Sequence, residues 1–343
     1  MSGMNNAMLT AERIAKGYIK PHTALTNMAM AFYQNAANYF AKSLFPTCPV
    51  QLSSDNYYVF DKEDLLRDNW QRKPESGTVT PAVLSEHTES YACNVDQMRM
   101  SINMIRQTDV QRRQGPSTAN TKQQRTKAIA EQRNIHQDKM FANSFFKAGV
   151  WGNEVTGVAG TASTNQFIKF SDDNSEPIKI IDEYRTQVLQ ETGRELNRLG
   201  VGINVFNALK EHPGILERIK YGGTTANPAQ VTERVLAELF GVEKFVVLKS
   251  IHNNARLGEA ANMQFIGDPN AMLFTHAPNT PSLEEPSAGY IFTWDMLGNG
   301  QYMPIMSYPD PDPGKHVEWV EGLMATDMKK TCDDLAVFFK DAV

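Results

Sequence analysis

Apolar residues recur along this chain with two periods, and the places where the period changes are as informative as the periods themselves. From Thr26 to Phe45, Ala29, Phe32, Tyr33, Ala36, Phe40 and Leu44 return at steps of three and four, which predicts an amphipathic helix. Such a helix either covers its own core or serves as an arm packed on a neighbouring chain. "FPTCPV", Phe45 to Val50, ends it, because each proline disfavours a helical residue before it. Tyr57 to Phe60 then reads as a strand, but it runs directly into "DKEDLLRDNW", a stretch no core could hold whole. After a segment rich in Pro, Gly, Ser and Thr (72–89), alternation returns from Ser90 to Met104. Tyr91, Cys93 and Val95 share one phase and Met98, Met100, Ile102 and Met104 the other, so the face slips near Asp96 and Gln97. A strand that changes face implies a bulge or twist where it leaves one body and enters another. Residues 55–104 therefore read as a long two-stranded excursion.

Helical spacing resumes after "STANTKQQRTKAIAEQRNIHQDKMFANSFFKAGVWG" opens at 117, with Ser117, Asn120 or Thr121 as N-cap and Gly149 as terminator. That predicts a helix of about 28 residues, roughly 40 Å long. Its first half is polar apart from Ile129 and Ile135, while Met140, Phe141, Phe145 and Phe146 crowd its end. Such a helix lies across a surface and anchors at one end. The segment 152–176 reads as loop or short strands, and a second helix starts at Ser175-Glu176-Pro177 and stops at Gly193. There follow a strand near Leu199–Ile203, helices over 204–212, up to Tyr221 and over 232–241, and strands over 243–251, 271–276 and 290–294. The final segment ends in the apolar strand "LAVFFKDAV". Without strict strand–helix alternation, the class is α+β and not a doubly wound sheet.

Composition narrows this little. The 343 residues, 41% hydrophobic and 21% charged, suit a soluble chain, and a net charge of -5 gives no field for sequence-specific nucleic-acid reading. Cys48, Cys93 and Cys332 form no ligand pattern and suggest free thiols in a reducing cytoplasm, and no apolar run is long enough for a membrane span. Phosphate-loop, dinucleotide, metalloprotease and nucleophile-elbow motifs are all lacking, and the seven histidines are scattered. Catalytic, cofactor and metal residues are therefore expected to be none. The basic run Arg112, Arg113, Lys122, Arg125 and Lys127 reads as a solvated helix face, and "KYGGTT" at 220–225 as a turn.

The order of these parts carries a resemblance. "LFPTCPVQLSSDNYYVFDKEDLLRD" with "SYACNVDQ", then "FFKAGVWG", "PIKIIDEYRTQVLQETG", "VFNALKEHPGILERIKY", "VTERVLAELFGVEKFVV" and "SLEEPSAGYIFTW" together resemble the major capsid protein of tailed bacteriophages. That fold is shared with encapsulins and the herpesvirus capsid floor. The resemblance implies an N-terminal arm (1–50), an extended loop (51–107), a peripheral domain with the spine helix (108–177 and 311–343) and an axial domain (178–310). It implies self-assembly as hexamers and pentamers into an icosahedral head in the host cytoplasm, enclosing double-stranded DNA without sequence-specific binding. The implied partners are further copies, a portal, a separate scaffolding protein and a decoration protein, with no cofactor and no membrane. Asp61, Lys62, Glu63, Asp64, Arg67, Asp68, Trp70, Arg72 and Lys73 would then form the subunit interface, Trp70 being its apolar anchor. The competing readings are an encapsulin-like compartment shell and a soluble α+β enzyme with an unrecognised site.

Overall fold

A computed structural model describes residues 33–60, 62–73, 75–82, 85–108, 121–222, 231–281, 285–298, 300 and 302–343. The chain divides into a unit of residues 1–36 and a unit of residues 37–343, and the fold described here is that of the second. In chain order its elements are α1 (Ala41–Leu44), β1 (Thr47–Val50), β2 (Ser54–Phe60), α2 (Lys62–Leu65), β3 (Glu86–Ala92), β4 (Asn94–Asn103) and α3 (Thr121–Ser144). Then come β5 (Glu154–Val158), β6 (Gln166–Ile168), α4 (Pro177–Thr192), β7 (Arg198–Gly202), α5 (Ile203–Glu211), α6 (Pro213–Gly222) and α7 (Glu233–Leu239). The last part holds β8 (Lys244–Leu248), β9 (Ile251–Asn253), β10 (Met263–Phe265), β11 (Met272–Thr275), β12 (Gly289–Trp294), β13 (Ile305–Pro309), β14 (Val317–Lys330) and β15 (Ala336–Lys340).

Two sheets carry the body. The larger has the order β6-β5-β15-β11-β7-β8, and its core gathers Phe167, Phe170, Ile181, Val188, Phe274 and Phe339 beneath α4 to α7. The second is organised on β14, which pairs with β4 over Val317–Thr326, with β13 over Glu318–Gly322 on the other edge, and with β12 over Thr326–Lys330. β1 completes it by pairing parallel to β12. The sheets do not follow the expected division at residue 310. β12 and β13, which precede it, are bonded to β14, whereas β15, which follows it, lies between β11 and β5 of the larger sheet.

The long helix α3 is described over Thr121–Ser144 and ends five residues before the expected terminator Gly149. It stops at Ser144 because Phe145 and Phe146 turn into the core, where Trp151 Nε1 donates to the Phe145 carbonyl at 2.7 Å. The candidate caps Ser117 and Asn120 lie outside the described residues. The helix crosses β14 where Gly322 has no side chain: a Cβ there would sit 2.4 Å from Ile129 Cγ2. The second helix behaves as its sequence predicts, with Pro177 in its first turn and Gly193 closing it at φ 69°.

The amphipathic helix expected over 26–45 does not continue through its described part. Residues 26–32 lie outside the description, and beyond them only a short turn at Ala36–Asn38 and the single turn of α1 form. Competition for the backbone explains it. The Phe40 and Ala41 N–H groups donate to the Asp138 carboxylate of α3, at 3.3 and 3.0 Å, instead of to carbonyls of a preceding turn. The six residues from Phe40 to Phe45 then make a seam. Phe40 and Phe45 pack on Phe141, and Leu44 fills the space above Gly200 of β7. Arg198 of β7, 1% exposed, donates to the carbonyls of Ser43 (3.2 Å), Leu44 (2.9 Å) and Pro278 and to Asn279 Oδ1 (3.1 Å).

Two outcomes are expected. Arg198→Lys keeps the charge but cannot reach the diverging acceptors with one ammonium, so urea denaturation should register a loss of about 2–4 kcal/mol. Burial pushes the Asp138 carboxyl up to about 6, against the favourable N–H groups of Phe40 and Ala41 and the Lys42 ammonium. The folded chain thus holds this proton more tightly than the unfolded one, and the contribution is full at low pH and lost as pH rises through 6. Asp138→Asn keeps an oxygen acceptor without the charge. Its unfolding free energy relative to wild type should rise by about 2–3 kcal/mol between roughly pH 4 and pH 7.

Candidate assembly interface

Of the excursion expected over 55–104, β2 and β3 form a separate hairpin, whereas β4 belongs to the sheet of β14. β2 and β3 pair only with each other, in seven-residue register from Ser54↔Ala92 to Phe60↔Glu86. At Cys93 the partner changes: β3 ends, and β4 begins one residue later against β14. The switch therefore falls at Cys93, three residues before the slip read at Asp96 and Gln97, because the apolar pattern follows burial whereas the break follows backbone pairing.

The root is aromatic. The Tyr91 ring stacks on Phe292 of β12, with centroids 4.6 Å apart and planes at 11°, and Tyr57 and Tyr290 flank the same ring. The Ala92 N–H donates to Asp327 Oδ2 at 2.9 Å, and Trp294 Nε1 donates to the Gln51 carbonyl at 2.9 Å. The Tyr57 hydroxyl donates to Glu89 Oε2 at 2.7 Å, and burial with that bond raises its pKa. Burial pushes the Cys93 thiol up to about 11, and all three cysteines are free. Beyond the root, β3 is exposed at every residue except Tyr91.

The interface candidates sit past the hairpin's far end, and their placements differ. Asp61 lies outside the described residues. Lys62 opens α2, and its ammonium pairs with Asp334 of its own chain at 2.6 Å; that bond raises its pKa. Glu63, Arg67, Asp68, Arg72 and Lys73 are exposed, and Asp64 lies in α2. The Trp70 N–H donates to Asp68 Oδ1 at 3.0 Å, a local turn that holds the indole outward at 95% exposure, with Leu66 at 62% beside it. The candidates thus share one segment, and Lys62 is joined to the body by its ion pair with Asp334. Asp334 was missed in the sequence because nothing local marks a partner 272 positions away. Of the basic run, Arg112 and Arg113 lie outside the described residues, while Lys122 pairs with Glu318 at 2.8 Å. Residues 223–230, with the second half of the glycine-rich stretch, also lie outside, and 220–222 close α6.

Among the described residues no group of three or more His, Cys, Asp or Glu could hold a metal ion, and no helix is long and apolar enough to cross a membrane.

No family model matches the chain. It is 26% identical over 238 residues to the major capsid protein of Burkholderia phage BcepMu, covering 66% of this chain and 68% of the relative. The crystal structure of a phage-related protein from Bordetella bronchiseptica RB50 aligns with a TM-score of 0.65 at 19% identity, over 92% of this chain and 95% of that one. The capsid of Myoviridae phage XM1 aligns at 0.54 and 12% identity, over 95% and 97%.

The root and the tip of the excursion should respond differently to truncation. Trp70→Ala should leave the far-UV circular dichroism and urea midpoint of the isolated chain within about 0.5 kcal/mol of wild type, since the ring is solvated. Tyr91→Ala, which empties the stack on Phe292, should cost about 2–3 kcal/mol.

Proposed function

We infer that this chain is a structural shell subunit, the major capsid protein of a tailed bacteriophage. Its fold is the tailed-phage capsid fold, matched over nine-tenths or more of its length by phage-related and capsid structures. The observation that carries the reading is the coincidence of that match with sequence similarity to a phage major capsid protein. The role is structural and not enzymatic.

The finer reading rests on physical argument. A two-stranded hairpin alone is marginally stable in water, and this one is bare beyond Tyr91, so it gains most by lying on another surface. In a shell of many copies each such contact is repeated, and cohesion accumulates from the repeats. Glu63, Arg67, Asp68, Trp70, Arg72 and Lys73, with Asp61, Lys62 and Asp64, are proposed as the contact of the extended loop (51–107) with the next subunit. The arm (1–50), the peripheral domain around the spine helix (108–177 and 311–343) and the axial domain (178–310) complete the division. We add one qualification from the strand pairing: β15 belongs with the axial sheet, and β12 and β13 with the sheet of β14. Hexamers and pentamers around packaged double-stranded DNA in a virion follow from this reading, with scaffolding, portal and decoration proteins as partners. The phage relative favours a genome container over an encapsulin-like store.

Negative-stain microscopy of the expressed chain, alone and with its neighbouring gene products, tests the reading. Hollow shells or ring-shaped capsomers are expected, and native particles should absorb at 260 nm. Arg67→Glu should fold as a monomer yet yield far fewer particles. A 38.4 kDa monomer under every condition would overturn the reading.

A further inference from the structure

The body contains a cavity whose chemistry matches the exposed indole of Trp70. It holds about 250 Å³ and lies between α3, β4, β13 and β14. Its walls are the side chains of Met98, Ile129, Ile305 and Met324, with Arg133 and Asp96 among its polar groups. At roughly 30 Å³ per water, that space equals about eight molecules, enough for one indole. Gly322 is among its lining residues, at the point where Ile129 of α3 comes close to β14.

The polar groups fit an indole in particular. Arg133 Nη1 donates to the Met303 carbonyl at 3.2 Å, while its Nε is buried without a hydrogen-bond partner among the described residues. A guanidinium held in this way is suited to stacking on an aromatic face, and tryptophan is the strongest such partner. Asp96 lies 3.3 Å from His136 Nε2 at the same cavity and offers a carboxylate oxygen to an indole N–H. A purely aliphatic occupant would leave both polar groups unused.

The chain's own Trp70 does not occupy the site. The ring is 95% exposed. β4 carries Asp96 and Met98 on one side of Cys93, and β2 and β3 extend from the other side for seven paired residues, about 23 Å at 3.3 Å each. Lys62 and Asp334 hold the hairpin's far end on that side. A ring that its own chain leaves exposed can fill such a cavity between two copies. Because the two patches differ, the contact is heterologous, the kind that closes rings of subunits.

We propose that the cavity bounded by Met98, Ile129, Arg133 and Met324 receives Trp70 of a neighbouring copy, so that each subunit offers one knob and one hole. The proposal rests on the shell reading and names the receptor for its loop. Hydroxyl-radical footprinting of unmodified particles against free chain tests it without any variant: Trp70, Met98 and Met324 should lose most of their oxidation together on assembly. Trp70 remaining as oxidisable in shells as in the free chain overturns the proposal, as does protection of Trp70 without Met98 and Met324. A second arm pairs Asn69→Cys with Gln132→Cys, leaving Trp70 in place. Oxidised particles should run as a ladder of covalent oligomers on non-reducing denaturing gels, and each single variant should not. Intact shells with no ladder count against the pairing, whereas failure of the wild-type chain to assemble at all would sink the shell reading itself.

Discussion

The fold depends on how one buried guanidinium is satisfied. Arg198 sits within the larger sheet, and its acceptors lie on the Phe40–Phe45 seam and on the segment after β11. Burying such a charge is costly unless its donors find oxygen, so the seam is held where those carbonyls can meet it. Asp138 constrains the same seam from the spine helix through the Phe40 and Ala41 N–H groups. With β1 leading from the seam onto β12, a strip of about ten residues binds the helix and both sheets.

What this arrangement leaves over is surface. β14, fourteen residues long, anchors β4, β12 and β13, and the spine helix closes on it at Gly322. Along β3 of the hairpin Tyr91 alone is buried, stacked on Phe292 of β12. A rigid root with a solvated tip suits a device that must find its partner outside the chain.

Local signals in the sequence account for much of this. Pro177 and Gly193 bracket α4 correctly, the phase change announced a strand serving two bodies, and the charge run after Phe60 marked the excursion's end. The class, α+β, was equally legible. Long-range partners were not. Over 33–45 the expected helix gives way because Asp138, almost a hundred positions away, takes the N–H groups that a helix would have used. Likewise the cavity beside Ile129 is lined by α3, β4, β13 and β14, and no window of sequence contains all four. Short β5 and β6 were indistinct in a small, polar stretch because their partners, not their own residues, make them strands.

The position of β15 has a consequence for timing. It lies inside the larger sheet, antiparallel to β11 and parallel to β5, yet it is the last of that sheet's strands to be synthesised. Until it arrives, β5 and β6 have no route to β11, and Phe338 and Phe339 are absent from the two main cores. Such distant pairings slow folding, because a long loop must close before they contribute. A chain that has not yet made β15 therefore lacks the strand that joins β5 and β6 to β11, and the larger sheet closes only when that strand is in place.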